Sequence, residues 1–165
     1  MKRPNDYPFI APCPGCFENF LLSLSESEHN EIFFGNGDFT VVRLMTGLSK
    51  ILVGCHLTIS LYLLDKSTVN ALATMIYSGH ITGADVYFRQ AGYVESDLDR
   101  LPDSLRLIPC DTLVFLAQAS RNERMITVTG FLSQDFPSRS LELYTMINDK
   151  EQQKIINKTL KKILK

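Results

Sequence analysis

The 165-residue sequence predicts an α/β (or α+β) domain built on a mixed β-sheet flanked by helices. Two observations lead to this prediction. Segments whose apolar residues alternate, as in strands, interchange with segments whose apolar residues recur at helical spacing. Helices separate the early strands, which favours parallel pairing, whereas a short turn joins two late strands, which favours an antiparallel hairpin.

Apolar content and period-two patterning define the predicted strands. In chain order they are Ile32–Phe34, Leu57–Leu63, "ADVYFR" (84–89), "LVFLAQA" (113–119), "MITVTG" (125–130) and "LELYTMI" (141–147). The stretch "LRLIPCDTLVFLAQ" (105–118) resembles one strand entering a core. Four strands should be central in the sheet because they are the most apolar: Leu57–Leu63, Val86–Phe88, Leu113–Leu116 and Ile126–Val128.

Three segments have helical periodicity. The first, "FTVVRLMTGLSKIL" (39–52), follows a Gly-Asn-Gly turn at residues 35–37. The second, "STVNALATMIYSG", takes Asp65 or Ser67 as its cap and stops at Gly79. The last runs from a cap at Asn148 or Asp149 to the C-terminus. Its lysines form a solvated face, and its inward residues are expected to be Ile155, Ile156, Leu160 and Ile163. The polar segment "VESDLDRLPDSL" is either a helix or a loop.

Composition excludes several functional classes. The net charge of −1 gives no overall basic field for nucleic acid or an anionic membrane. No apolar run is long enough to span a membrane, and the prolines near the N-terminus interrupt any signal-peptide core. We therefore expect a cytoplasmic protein with an N-terminal arm at residues 1–30 and a single domain at residues 31–165.

Cys13 and Cys16 form a CxxC motif, "CPGC", within the Pro-rich arm. A redox pair would need a preceding strand, and a zinc site would need two further ligands. Cys55 and His56 are adjacent, so on a strand their side chains point to opposite faces. We interpret the motif as a turn with two thiols, and zinc binding through Cys13 and Cys16 stays an alternative. No cofactor is predicted.

Common catalytic motifs are missing from the sequence. "GNGDF" lacks the lysine of a phosphate-binding loop, and neither a GxSxG elbow nor an HExxH motif is present. The order of five segments nevertheless resembles the phospholipase D-like superfamily, particularly its small single-motif members from phages and other mobile elements. These segments, spanning about residues 31 to 160, are "IFFGNGDFTVVRLMTGLSKIL", "HLTISLYLLDKSTVNALATMIYSGHITGADVYF", "LRLIPCDTLVFL", "MITVTGFLS" and "SRSLELYTMINDKE".

The resemblance assigns the family's catalytic positions to unsuitable residues. The nucleophilic His falls at Cys110, the phosphate-binding Lys at Thr112, and the following Asp at Ala117. The loop Asn falls near Phe131. The family chemistry needs an imidazole to attack phosphorus and an ammonium to hold the phosphoryl oxygens. Arg139 and Glu142 match the family's Arg and Glu, with one residue more between them than is usual.

Three hypotheses follow. The chain is a catalytically inactive phospholipase D-like domain kept for binding or structure, an active phosphodiesterase or nuclease that uses other residues, or an unrelated α/β interaction module. The resemblance also implies a homodimer and an association with a mobile element, while binding to nucleic acid stays uncertain. If the ancestral site has decayed, Cys110 should open a strand with Thr112 on the same side. Glu142 should lie on a neighbouring strand, paired with Arg139 or facing solvent.

Overall fold

The computed structural model describes residues 16–35, 40–92, 101–111, 115–130 and 142–163. Its strands are β1 (Glu31–Gly35), β2 (Cys55–Leu64), β3 (Ile81–Ala91), β4 (Leu105–Pro109), β5 (Phe115–Arg121), β6 (Arg124–Gly130) and β7 (Glu142–Ile147). Its helices are α1 (Cys16–Ser25), α2 (Val41–Ile51), α3 (Lys66–Tyr77) and α4 (Lys150–Ile163). None of the helices in these ranges has the length and apolar character that crossing a membrane requires.

The strands form one mixed sheet in the order β1-β7-β6-β5-β2-β3-β4. The strands β2, β3 and β4 run parallel, while all other neighbours are antiparallel. The predicted α/β class, the early parallel unit and the late hairpin are confirmed. A two-residue turn closes the hairpin, with Asn122 in the left-handed region at φ 54°. All four strands expected to be central have a neighbour on each side.

The apolar face of the sheet is covered by α1, α2 and α3. Cross-strand partners such as Ile59 and Ala117 lie on this face and are fully buried. Asp65 caps α3 by accepting a hydrogen bond from the Thr68 backbone N–H at 2.7 Å, as the sequence predicted. Helix formation over Cys16–Ser25 was not predicted. Its buried leucines join the same core, so this part of the predicted arm packs with the sheet.

The opposite face of β5 and β6 is polar and carries α4. Gln118 donates to Thr127 at 2.9 Å and to Asn157 at 3.0 Å. Gln153, which is also buried, donates to the Ile147 carbonyl at 2.6 Å. The inward position expected for Ile155 is wrong, since this residue is 64% exposed. The helix presents amides to a polar sheet face, which turns Ile155 toward solvent. Asp149 caps the helix by accepting from the Gln152 backbone N–H at 2.8 Å.

Candidate functional site

Cys110 lies at the carboxyl end of the parallel strands. Its backbone N–H donates to the Phe88 carbonyl at 2.8 Å, and its half-buried thiol is not part of a disulfide. The expectation that Cys110 opens a strand is wrong, because the stretch 105–118 is divided between β4 at the sheet edge and β5 in its centre. Pro109 ends β4, where a residue without an N–H is tolerated because the strand has only one neighbour.

Glu142 is far from Cys110 along the sheet. It is the first residue of β7, and four strands separate β7 from β4. Five strand spacings of about 4.8 Å place the two backbones about 24 Å apart. The expectation that Glu142 lies on a strand neighbouring Cys110 is therefore wrong. Thr112, Phe131 and Arg139 lie outside the described residues, as does the predicted pairing of Glu142 with Arg139.

Ala117, where the resemblance places the family's aspartate, is a core residue. It lies in β5 between Ile59 of β2 and Val128 of β6, and all three side chains are fully buried. A methyl group in this setting offers no hydrogen bond and no charge. A carboxylate here would have to be desolvated without a partner among these apolar neighbours.

Arg89 is a backbone neighbour of Cys110 that the sequence reasoning missed. The register pairs Phe88 with Pro109, so Arg89 lies on the strand adjacent to Cys110. The Arg89 guanidinium lies 6.0 Å from the centroid of the Tyr62 ring, a cation–π distance. Arg89 and Cys110 are distant in sequence, and only the pairing of β3 with β4 brings their backbones together.

A second polar cluster crosses β2, β3 and β4 toward the other end of these strands. Asp85 of β3 accepts hydrogen bonds from Arg106 of β4, at 2.5 Å from Nε to Oδ1 and 2.6 Å from Nη2 to Oδ2. His56 Nε2 lies 3.2 Å from Asp85 Oδ2. The Asp85 side chain is only 11% exposed, whereas those of His56 and Arg106 are 37% and 64% exposed. A buried carboxylate thus organises two accessible nitrogen groups.

The electrostatics of Asp85 reflect this arrangement. Burial by itself raises the pKa of the carboxyl, but the hydrogen bonds from Arg106 and His56 outweigh burial, so the pKa lies below its usual value. Burial also raises the pKa of nearby Tyr87. The Asp85 carboxylate stays ionised at neutral pH and orients His56 through Nε2. This leaves Nδ1 of the imidazole as the nitrogen for other contacts.

Sequence reasoning did not identify the His56–Asp85–Arg106 cluster. Each member occupies an ordinary polar position in an alternating strand. The pairing of Asp85 with Arg106 depends on a register that no local pattern reveals. One signal was available, since the polar residues of these strands should share one sheet face if the strands are neighbours.

A surface cavity of about 820 Å³ lies near the N-terminus of α4 and the β5–β6 turn. Its lining residues include three acidic and three basic side chains: Glu28, Glu123, Asp149, Arg124, Lys150 and Lys154. The opposing charges balance, so the lining favours neither an anionic nor a cationic ligand.

The CxxC motif gains no further ligands from the described residues. Cys16 begins α1, and Cys13 lies outside the described residues. Within the ranges that the structure describes, no three His, Cys, Asp or Glu side chains are grouped as a metal would require. Cys55 and His56 do lie on opposite faces, as predicted: Cys55 is in the core, where burial raises the pKa of its thiol to about 11.

Comparison with known proteins supports the fold. The chain is similar to polyphosphate kinase from Porphyromonas gingivalis, at 13% identity and a TM-score of 0.59. The likeness covers 81% of this chain and 23% of the kinase, so the chain spans less than a quarter of that protein. At this identity the likeness shows the fold alone. Neither a scan against family models nor a search of curated proteins finds a match.

Proposed function

We propose that this chain is a phospholipase D-like domain that has lost phosphodiesterase chemistry and acts through binding or as a structural unit. The observation that carries the proposal is the position of Ala117, a buried apolar residue where the family has an aspartate. Cys110 and Thr112 support the proposal, because they stand where the resemblance places the family's nucleophile and its phosphate-binding cation. A thiol and a hydroxyl supply no fixed positive charge for a phosphoryl group.

The separation of Cys110 from Glu142 gives further support. In the family chemistry implied by the resemblance, a carboxylate orients the nucleophilic His. A backbone distance of about 24 Å prevents Glu142 from orienting a group at Cys110 within the same chain. Phe131 as a further degenerate position and Arg139 as a remnant of the family's Arg belong to the same proposal.

Turnover measurements test this proposal. We expect no hydrolysis of bis(p-nitrophenyl) phosphate or of DNA above background, with or without Mg²⁺. Matched preparations of Cys110→Ala and Glu142→Gln should be indistinguishable from the wild type. Activity that disappears in either variant would contradict the proposal and favour an active phosphodiesterase that uses non-standard residues.

The active-enzyme alternative has one specific observation in its favour. His56, Asp85 and Arg106 combine an imidazole, an orienting carboxylate and a cation, the three group types that the family chemistry employs. If this cluster hydrolysed phosphodiesters, turnover would fall in His56→Gln and persist in Cys110→Ala. The same measurement therefore separates the two functions.

The proposal includes a homodimer, because single-motif members of the resembling superfamily pair two chains and an inactive descendant retains the contact surface. Light scattering at micromolar concentration should give twice the 18.7 kDa chain mass. A single 18.7 kDa species would contradict the dimer. A cytoplasmic location rests on the sequence patterns described above, and an association with a phage or mobile element rests on kinship. The genes flanking its coding sequence test the association.

A further inference from the structure

The Arg106 guanidinium is fixed along one edge and exposed along another. Its Nε and Nη2 atoms donate to the two oxygens of Asp85, and its side chain is 64% exposed. A guanidinium has five N–H groups, so this pair leaves three, on Nη1 and Nη2, directed away from Asp85. The planar group is thereby held in one orientation with a second two-pronged edge available to a ligand oxyanion.

His56 lies beside this available edge. Its Nε2 and the Nη2 of Arg106 approach the same oxygen of Asp85, at 3.2 Å and 2.6 Å. The imidazole and the guanidinium are thus neighbours around one carboxylate oxygen. Because Nε2 is engaged with Asp85, the imidazole presents Nδ1, which donates a hydrogen bond when the ring is protonated.

The charge of the surrounding face also favours an anion. The register places Thr58 of β2 opposite Asp85, and Arg89 lies further along β3 on the same face. The described charged side chains of this face on β2–β4 are two arginines, Arg89 and Arg106, and one aspartate, Asp85, apart from the ionisable His56. The single negative charge is nearly buried and already accepts hydrogen bonds from two cationic or ionisable groups.

We propose that His56 and Arg106, positioned by Asp85, form a binding site for a phosphate-type oxyanion. The open edge of Arg106 binds two ligand oxygens, and the imidazole of His56 contacts a third, which suits a tetrahedral anion better than a planar carboxylate. The site goes beyond the proposed function and does not depend on Cys110. Four residues of strand, about 13 Å, separate Arg106 from Cys110.

A titration with inorganic phosphate tests the site, read by NMR of the isotopically labelled chain. We expect saturable shifts of the Arg106 Nε–H and the His56 ring signals, with much smaller shifts from equal acetate. Arg106→Gln should weaken phosphate binding roughly tenfold or more, because it removes the charged fork. Arg106→Lys keeps the charge without the fork, so an intermediate loss is expected. Arg124→Gln, at an exposed arginine of β6, is the matched control and should bind like wild type.

The wild-type measurement decides the matter even if Arg106→Gln does not fold. Shifts that do not saturate, or that centre away from residues 56, 85 and 106, overturn the proposal. Equal shifts with acetate overturn the preference for a tetrahedral anion. Equal losses of phosphate affinity in Arg106→Gln and Arg124→Gln would show that binding depends only on the total charge of the chain, which overturns the site. Since no readout involves turnover, the outcome is independent of the phosphodiesterase assays.

Discussion

Replacing Gly83 with alanine is expected to destabilise the fold, because a methyl group has no room there. A Cβ atom at this position would lie 2.7 Å from the Ser104 carbonyl oxygen, 3.1 Å from Ser104 Cβ and 3.2 Å from His56 Nδ1. The nearest of these atoms belongs to backbone, which is fixed by the hydrogen bond from the Ala84 N–H to the Ser104 carbonyl at 2.9 Å. The methyl group must therefore push apart β3 and the start of β4, or displace the His56 ring.

The magnitude follows from two opposing effects. Overpacking typically costs about 1–3 kcal/mol, while replacing a strand glycine with alanine returns roughly 0.5–1 kcal/mol of conformational entropy. We expect a net loss of about 1–2 kcal/mol in the free energy of unfolding. For a chain of this size, the melting temperature falls by about 2–4 °C per kcal/mol.

Urea unfolding followed by circular dichroism measures this loss, with Gly92→Ala as the matched control. The nearest atom to a Cβ at Gly92 is a Leu63 side-chain carbon at 3.4 Å, an ordinary contact, so that variant should match wild type within about 0.5 kcal/mol. Equal stability of Gly83→Ala and Gly92→Ala would refute the packing around His56.

Three further predictions concern individual side chains. The pKa of Asp85 lies below its ordinary 3.8, so its ionised form stabilises the fold above about pH 4, and this contribution is lost as pH falls through the lowered pKa. In Asp85→Asn, the free energy of unfolding should therefore fall less steeply as the pH is lowered below about 4. If urea unfolding gives the same pH dependence as in the wild type, the Asp85 carboxylate does not stabilise the fold in this way. Burial raises the pKa of Cys55 to about 11, so brief iodoacetamide treatment of the folded chain should label the half-buried Cys110 before Cys55. Equal labelling rates by peptide mapping would contradict this order. Asp65→Ala removes the cap that accepts from the Thr68 N–H and should cost about 1 kcal/mol, whereas Asp65→Asn keeps most of it. Identical thermal unfolding of the two cap variants would argue against the cap.

The sequence allowed the central sheet to be predicted because burial leaves a local pattern. The alternation of Leu57 to Leu63 and the short turn after Arg121 identified β2 and the hairpin, and all four central strands were placed correctly. α1 was missed because the proline-rich residues before it suggested an irregular arm. Its apolar residues Phe20, Leu21 and Leu24 nevertheless have helical spacing and pack in or against the core.

The site was less predictable because it depends on strand order. The segment 105–118 contains apolar residues on both sides of Cys110, and nothing local shows that four strands lie between β4 and β7. The prediction that Glu142 neighbours Cys110 failed for this reason. The His56–Asp85–Arg106 cluster likewise arises from the parallel register of β2, β3 and β4, which brings together residues from three separate segments.

Intact-protein mass spectrometry of rapidly quenched mixtures with bis(p-nitrophenyl) phosphate tests the central claim most directly, because phosphodiesterase chemistry through a protein nucleophile expels p-nitrophenolate and passes through a covalent phosphoryl intermediate. The proposed loss of this chemistry predicts an unchanged 18.7 kDa mass at neutral pH throughout the incubation. A substrate-dependent increase by one phosphoryl-containing group, mapped by peptide analysis to Cys110 or to His56, would contradict it.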